Sequence, residues 1–276
     1  MKASPATRLA GRTFDVQVLN LPAPGKDQDA WLVSDDFVAV ADGATPLGDE
    51  PASAVREYAK TSLEALWSER SQTAGRMVRV AVEKTMDLAI PHTPPLSCTV
   101  ALARTVSTSI EVVILGDCTA VVAYQEGRRR TIRDLRLPRV DAVVIEKLRD
   151  LTKGGLSPDD ARLAITDDLT ANRLQMNRAD SYWSFSGERA AGRHVLHRLL
   201  APDDVLAILL CSDGFARLAD TFHAASGMTG LLDRCRKEGL AALGAELRSL
   251  ELAPRSMTDY PRFGTHDDAT AVLLSR

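Results

Sequence analysis

The ten residues VLAILLCSDG, positions 205–214, form an apolar run that stops at an aspartate, Asp213. A short run of this kind predicts a buried strand, so we expect the carboxylate at its end to lie at the rim of a packed sheet. The same arrangement occurs earlier in the chain, where the run FVAVADG, positions 37–43, reaches Asp42. Two apolar runs that end on an aspartate are the first indication of a shared site.

Two further aspartates stand beside apolar runs. Asp117 follows the run VVILG, positions 112–116, and Asp267 comes just before the run ATAVLL, positions 269–274. Acids from four distant parts of the chain are therefore expected to converge at one end of the fold. Clustered carboxylates repel one another and raise each other's pKa unless a cation neutralises them. The pattern predicts a metal site of oxygen ligands suited to Mg²⁺ or Mn²⁺.

The composition of the 276-residue chain is that of a globular protein, with 45% hydrophobic and 26% charged residues. The formal net charge of −3 argues against nucleic acid or an anionic membrane surface as a partner. No window approaches the ~18 apolar residues of a transmembrane helix. Residues 1–22 lack the apolar stretch of a signal peptide.

The cysteines indicate a reducing compartment. None of them forms the C-x-x-C pair that zinc sites and redox motifs use, and three lie in strand-like apolar runs, where a free thiol behaves as a small hydrophobic group. We therefore expect reduced, structural thiols and a cytoplasmic protein. The four are Cys98, Cys118, Cys211 and Cys235.

The order of predicted elements indicates an α+β fold with one composite core, a single domain over residues 1–276. Strands in the first 41 residues precede two helices, the first of which is expected to start at residues 49–51. Three strands follow between residues 97 and 125. The middle segment, 139–178, is polar and helical, and residues 188–200 are predicted to form a further helix.

Several short segments, taken in order, resemble the motifs of the PPM family, the metal-dependent, protein phosphatase 2C-like serine/threonine phosphatases. Each segment alone is weak, but their order and spacing fit over essentially the whole chain. They match the family's N-E-D, D-G, G-S-T, G-D-S, S-D-G and D-N/D-x-T motifs. They are Asp27-Gln28-Asp29, Asp42-Gly43, Ser97-Cys98-Thr99, Gly116-Asp117-Cys118, Ser212-Asp213-Gly214 and Asp267-Asp268-Ala269-Thr270.

The resemblance implies an α-β-β-α sandwich of two antiparallel sheets flanked by helices. It implies a centre of two Mn²⁺ or Mg²⁺ ions at one end of the sheets. Residues 139–178 correspond to a variable, helical, flap-like insertion in the family. We expect this segment to lie outside the sandwich and to shape substrate entry without binding metal.

The resemblance also assigns roles to single residues. Asp42 would bridge the two ions and the Gly43 carbonyl would bind one of them, while Asp213 and Asp267 would complete the shell of the other. Asp29 would either bind an ion or lie directly behind the ligands. We accordingly expect Asp42, Asp213 and Asp267 to be the catalytic set.

The third-ion site of bacterial members is only half matched. Asp117 corresponds to a residue that helps to hold a third, weaker metal in those proteins, but the partner position is occupied by Arg217. An arginine cannot bind a cation, so the sequence argues against a third ion.

Two other positions depart from the family pattern. Gln28 replaces the acid of N-E-D, and Pro24 stands where many members have the arginine that clamps phosphate. Lys26 is the nearest cation and is our candidate for binding the substrate phosphate, although a point charge is a poorer clamp than a guanidinium.

The function that the resemblance implies is metal-dependent hydrolysis of phosphomonoesters, with phosphoserine and phosphothreonine of proteins as substrates. Two cations would lower the pKa of a bridging water and neutralise the phosphate, with no covalent intermediate on the protein. The partner would be a phosphoprotein, such as the target of a serine/threonine kinase, and the protein is expected to be a monomer. A phosphorylated small molecule stays open as a substrate.

Two alternatives were weighed. The D-x-D form of residues 27–29 is used by aspartyl-nucleophile phosphatases, but there it follows a buried strand directly, and here Pro24-Gly25-Lys26 precedes it, so we reject that mechanism. The other alternative is a regulatory binding module that keeps the fold with weak or no catalysis. Gln28, Pro24 and Arg217 favour that module, whereas the retained Asp42, Asp213 and Asp267 oppose it.

Overall fold

Two antiparallel sheets form the centre of the protein. The computed structural model describes residues 6–47, 50–92 and 94–276, so Gly48 and Asp49, predicted at a loop end and a helix start, lie outside the described residues. One sheet has the strand order β1-β2-β11-β10-β7-β8 and the other has β3-β4-β5-β6-β9. The strands of the first sheet are β1 (Ala6–Leu9), β2 (Arg12–Leu21), β7 (Thr119–Tyr124), β8 (Arg129–Arg133), β10 (Val205–Cys211) and β11 (Ala269–Ser275). Those of the second are β3 (Ala30–Val33), β4 (Phe37–Gly43), β5 (Cys98–Val106), β6 (Ser109–Leu115) and β9 (Leu196–Leu200).

Helices cover the outer face of each sheet. An apolar cluster joins two helices to the five-stranded sheet, and a second cluster joins three helices to the six-stranded sheet. These are α1 (Ala52–Ser68) and α2 (Ala74–Ala89), and α6 (Asp213–Asp220), α7 (Gly227–Glu238) and α8 (Leu240–Leu252). A third cluster fills the space between the sheets. The layers are therefore α-β-β-α, and the predicted fold class is confirmed.

The alternation of β4 explains where its final aspartate emerges. Val38 and Val40 belong to the cluster between the sheets, whereas Ala39 and Ala41 belong to the cluster under the helices. Successive side chains of a strand point to opposite faces. Asp42 therefore follows Val38 and Val40 on the inter-sheet side, at the place where the apolar layer ends.

The middle of the chain folds into three helices beside the sandwich. They are α3 (Arg136–Lys153), α4 (Pro158–Ala164) and α5 (Thr166–Leu174). They have an apolar cluster of their own, in which Val144, Leu148, Ala161 and Ile165 are buried and Phe263 packs against them. Because this cluster is separate from those of the sheets, the segment is attached to the core mainly along one side.

The predicted helix over residues 188–200 is wrong. Residues Arg189–Arg193 form a short 3-10 turn, and Leu196–Leu200 pair with β6 as an edge strand. Gly192 is pressed against α2, where an added Cβ would lie 2.4 Å from the carbonyl oxygen of Gly75. The free edge of β6 offers hydrogen bonds that outweigh the modest helix propensity of the sequence LHRLL, because strand formation depends strongly on tertiary context.

Among the described residues, no helix combines the length and apolar character needed to cross a membrane. A further short helix, α9 (Ser256–Asp259), lies in the connection between α8 and β11.

Candidate metal centre at the rim of the two sheets

Two of the predicted acids meet where β4 and β10 end. Asp42 is the penultimate residue of β4, and Asp213 is the first residue of α6, directly after β10. The backbone N–H of Asp213 donates a hydrogen bond to Oδ2 of Asp42 at 3.3 Å. Residues that are far apart in sequence are thus joined at the rim of the two sheets, as the strand ends predicted.

Asp29 lies in the deepest part of this rim. It immediately precedes β3 and is only 1% exposed, and neither carboxylate oxygen has a hydrogen-bond partner among the described residues. Burial raises the pKa of Asp29 well above its usual value, and the nearby charge of Asp268 raises it further. A buried carboxylate without hydrogen-bond donors is costly. A cation bound beside Asp29 would compensate that cost.

Asp117 adds a third carboxylate from the turn between β6 and β7. Its Oδ1 accepts a hydrogen bond of 2.7 Å from the Thr99 hydroxyl, and Thr99 lies opposite Asp42 in the pairing of β4 with β5. Burial raises the pKa of Asp117 to about 7, and the charge of Asp213 contributes. Gly116 permits this approach, because an added Cβ would lie 2.3 Å from Cγ2 of Thr99.

Electrostatic crowding is greatest at Asp42. Burial raises its pKa well above the usual value, followed by the charges of Asp29, Asp213, Asp117 and Asp267. The predicted acids therefore act on one another through space, which is what a common site requires.

Glycines in two of the motifs bring the acids together through close backbone contacts. An added Cβ on Gly43 would lie 2.3 Å from the carbonyl oxygen of Gln28, so only glycine lets the segment that contains Asp29 pack against the end of β4. An added Cβ on Gly214 would lie 1.9 Å from the carbonyl oxygen of Asp268. The same contact places the loop before β11 on the start of α6.

Asp267 and Asp268, neighbours in the loop before β11, make different contacts. The carboxylate of Asp268 is buried and accepts hydrogen bonds of 2.6 Å from the backbone N–H groups of Ala23 and Gln28. These bonds hold the loop before β3 in place, and they leave the Asp268 carboxylate unavailable to a metal ion. Asp267 instead faces the site, where Lys26 Nζ lies 3.3 Å from Oδ1 and Arg217 Nη2 lies 2.5 Å from Oδ2.

Lys26 therefore reaches the site as expected, but its partner is Asp267. The prediction that it binds the substrate phosphate is not tested by this contact. Gln28 is buried, and its side-chain oxygen accepts a 3.0 Å hydrogen bond from the Thr45 hydroxyl. His266 contacts Glu251, with Nδ1 at 2.9 Å from Oε2.

A cavity of about 260 Å³ connects the acids to the helical middle segment. Asp42, Asp117, Asp213 and Asp267 line it from the sandwich, and side chains from α3, α4 and α5 line it from the opposite side. Those side chains include Asp141, Arg162, Leu169, Asn172 and Arg173. The three helices thus cover the entrance to the site.

Asp141 is the residue of this site that the sequence reasoning missed. Burial raises its pKa to about 6, and its hydrogen bond with Asn172 acts in the opposite direction. No motif or apolar run marks Asp141 in the sequence. Its place at the site depends on how α3 and α5 lie across the rim, which is a tertiary property.

The donor set fits a hard divalent cation. Carboxylate and carbonyl oxygens are the ligands that Mg²⁺ and Mn²⁺ prefer. The carboxylate of Asp29, whose oxygens have no hydrogen-bond partner among the described residues, is such a ligand. Within residues 6–47, 50–92 and 94–276, no three carboxylate, imidazole or thiol side chains already stand as a complete ligand set for one ion. Ion binding therefore requires side-chain adjustment, most clearly at Asp267, which two protein cations contact.

Comparison with known proteins supports the fold. No protein-family model and no curated protein matches the sequence. The structure, however, is similar to the serine/threonine phosphatase Stp1 from Staphylococcus aureus, with a TM-score of 0.57 and 14% identity over 99% of this chain and 98% of Stp1.

Two further phosphatase structures give a similar result. The serine/threonine phosphatase PstP/Ppp of Mycobacterium tuberculosis has a TM-score of 0.51 and 15% identity, over 95% of this chain and 98% of that protein. PppA of Pseudomonas aeruginosa, a key regulatory component of T6SS, has a TM-score of 0.53 and 14% identity, over 98% of this chain and 99% of PppA. The chain therefore has the fold of the PPM-type serine/threonine phosphatases.

The crowded acids predict how stability depends on pH when divalent ions are removed. The pKa of Asp117 is raised from 3.8 to about 7 in the folded protein, so the folded state keeps a proton that the unfolded chain has lost. The free energy of unfolding should therefore fall as pH rises from about 4 to about 7. Asp117→Asn should reduce this fall by about 3 kcal/mol, measured by urea unfolding in chelator.

The control is Asp35→Asn, which changes an exposed aspartate in the turn before β4, at the opposite end of that strand from Asp42, and should keep the wild-type pH dependence. An Asp117→Asn variant with the wild-type pH dependence would contradict the assignment of Asp117 to the crowded site.

Proposed function

We propose that this chain is a metal-dependent phosphatase that hydrolyses phosphomonoesters, with phosphoserine and phosphothreonine residues of proteins as its substrates. The observation that carries the proposal is the gathering of Asp29, Asp42, Asp117, Asp213 and Asp267 at one rim, where Asp29 is buried and its oxygens have no hydrogen-bond partner in the part of the chain that the structure describes. Such a cluster needs cations to be ionised at neutral pH. The PPM-type fold supports the same chemistry, because the neighbours Stp1 and PstP/Ppp are serine/threonine phosphatases.

The acids are proposed to hold two Mn²⁺ or Mg²⁺ ions. Asp42 is central, because the charges of the other four acids all raise the pKa of its carboxyl group. The Gly43 carbonyl and Asp29 would lie at one ion, and Asp213 and Asp267 would bind the other. When bound, the two ions would supply the positive charge that activates a water molecule and neutralises the phosphate.

Asp117 is proposed to serve the same centre from the outside. Its hydrogen bond to Thr99 fixes its carboxylate beside the acids. Asp141, from α3, is the other acid on that side of the cavity and adds to the electrostatic crowding of Asp117. Arg217 fills the position where bacterial relatives would have the second acid, so a third ion is not part of the proposal.

The phosphate and the peptide would be bound by different parts of the cavity. Lys26 lines the cavity on the sandwich side, beside Asp267, and is proposed to attract the phosphate. The three helices α3–α5 are proposed to act as the flap that contacts the peptide around the phosphate. Arg173 on α5 lines the cavity and offers hydrogen bonds to peptide carbonyls or acidic side chains.

The proposed partner is a phosphoprotein, such as the target of a serine/threonine kinase, and the proposed location is the cytoplasm. The cysteines fit a reducing compartment, because all four are buried and free.

Metal dependence is the direct test of the proposed function. Hydrolysis of an aryl phosphate should stop in chelator and return with Mn²⁺ or Mg²⁺. Asp42→Ala should lower the rate at least ~10²-fold, because the ions that activate water are lost or misplaced. Asp35→Ala, a change at an exposed position at the opposite end of β4 from Asp42, should keep wild-type activity.

Full activity in excess chelator, or an Asp42→Ala variant with wild-type turnover, would contradict the proposal. Mn²⁺ binding without any turnover of aryl phosphate or phosphopeptides would instead favour a regulatory module with the phosphatase fold.

The role of the flap is tested by comparing large and small substrates. Arg173→Gln should lower kcat/KM for a phosphopeptide about tenfold, the effect of losing one hydrogen bond from a charged group, while aryl phosphate turnover changes less than about threefold. Arg178→Gln, an exposed change just beyond α5, is the matched control. Equal loss on both substrates by a folded Arg173→Gln protein would show that Arg173 acts on the common chemistry and not on the peptide.

A further inference from the structure

Asp267 is already neutralised by the protein itself. Lys26 Nζ lies 3.3 Å from its Oδ1, and Arg217 Nη2 lies 2.5 Å from its Oδ2. The backbone N–H of Asp268 also donates to Oδ1 at 3.1 Å. Both carboxylate oxygens therefore have protein partners, and a metal ion that binds Asp267 competes with two protein cations for the same carboxylate.

Arg217 is built into the fold and is not a surface side chain that happens to reach the site. It belongs to α6 and is only 8% exposed. Although Nη2 contacts Asp267, Nη1 has no hydrogen-bond partner among the described residues. A buried guanidinium N–H without an acceptor is costly, so this side of Arg217 is not yet satisfied.

An acceptor for that group lies just behind it. Oε1 of Glu251 is 3.6 Å from Arg217 Nη1, and it too has no hydrogen-bond partner among the described residues. The other oxygen of Glu251 accepts a 2.5 Å hydrogen bond from Arg248 and lies 2.9 Å from Nδ1 of His266. Glu251 is buried and fixed on one side, and its free oxygen faces the free nitrogen of Arg217.

The geometry points to two positions for Arg217. We propose that its guanidinium neutralises Asp267 when no divalent ion is bound, and that it turns onto Glu251 when an ion takes Asp267. The move is short, because closing 3.6 Å to a normal hydrogen bond of ~2.9 Å needs less than about 1 Å. Two unsatisfied buried atoms become satisfied by the same movement.

This exchange makes Arg217 a positioning residue for Asp267 and a competitor for the metal. The inference rests on the metal centre of the proposed function. It implies that the ion at Asp267 binds more weakly than the acids alone would allow, since the ion competes with an existing ion pair. It also implies that Glu251, which lies outside the set of ligands, favours metal binding by receiving the displaced guanidinium.

The test is a double-mutant cycle on Mn²⁺ affinity, read from the electron paramagnetic resonance signal of free Mn²⁺. Arg217→Met should tighten binding about tenfold, because the competing cation is gone. Glu251→Gln should weaken it about tenfold, because the neutral amide is a poorer acceptor for the displaced arginine. In the Arg217→Met background, Glu251→Gln should leave Mn²⁺ affinity almost unchanged, because no guanidinium remains at position 217 to pair with residue 251.

Additive effects in the double variant would overturn the exchange, because they would mean that each residue acts only through its long-range charge. Lys26→Met is the matched control: it removes the other cation on Asp267, and its effect should simply add to that of Glu251→Gln. Should Arg217→Met not fold, Arg217→Lys serves instead. A lysine keeps the positive charge but lacks the guanidinium nitrogen that faces Oε1 of Glu251, so the same loss of coupling is expected.

The failure of this inference is distinguishable from the failure of the proposed function. If wild-type protein binds no Mn²⁺, or if Asp42→Ala binds it as well as wild type, the metal centre itself is refuted. If wild type binds Mn²⁺ through Asp42 and the cycle is additive, the metal centre stands and only the exchange of Arg217 is refuted.

Discussion

Mutual repulsion among carboxylates at one rim of the sheets is the constraint on which the rest of this site depends. Asp42 is partly buried between the sheets and lies within reach of four other acids. Interactions between charges are strong where water is scarce, so the acids either need cations in order to be ionised or keep protons and are neutral. The fold supplies part of that compensation through Lys26 and Arg217 on Asp267, whereas the buried oxygens of Asp29 have no hydrogen-bond partner among the residues that the structure describes.

The same rim is held together by backbone contacts that have little to do with charge. Glycine at positions 43 and 214 allows segments to approach within distances that a Cβ would forbid. The carboxylate of Asp268 binds the backbone of the loop that leads to Asp29. These contacts fix the acids against their repulsion, so the folding of the sandwich provides the energy that assembles the site.

Sequence patterns predicted the parts of this arrangement that depend on local order. The apolar runs that end at Asp42, Asp117 and Asp213 became strands of the expected sheets, because a buried strand needs only a short apolar segment with a polar end. The segment 188–200 was mistaken for a helix, because the free edge of β6 decides its conformation. Asp141 could not be found, because the placement of α3 depends on packing that no local pattern describes.

Anomalous diffraction from crystals grown with Mn²⁺ tests the central claim most directly, because it locates the ions independently of activity. The account predicts two adjacent manganese peaks that share the Asp42 carboxylate at the rim, with Asp213 and Asp267 contacting one of them. It also predicts that both peaks disappear in Asp42→Ala crystals. Crystals without manganese at this rim, or with manganese only elsewhere on the molecule, would contradict the account.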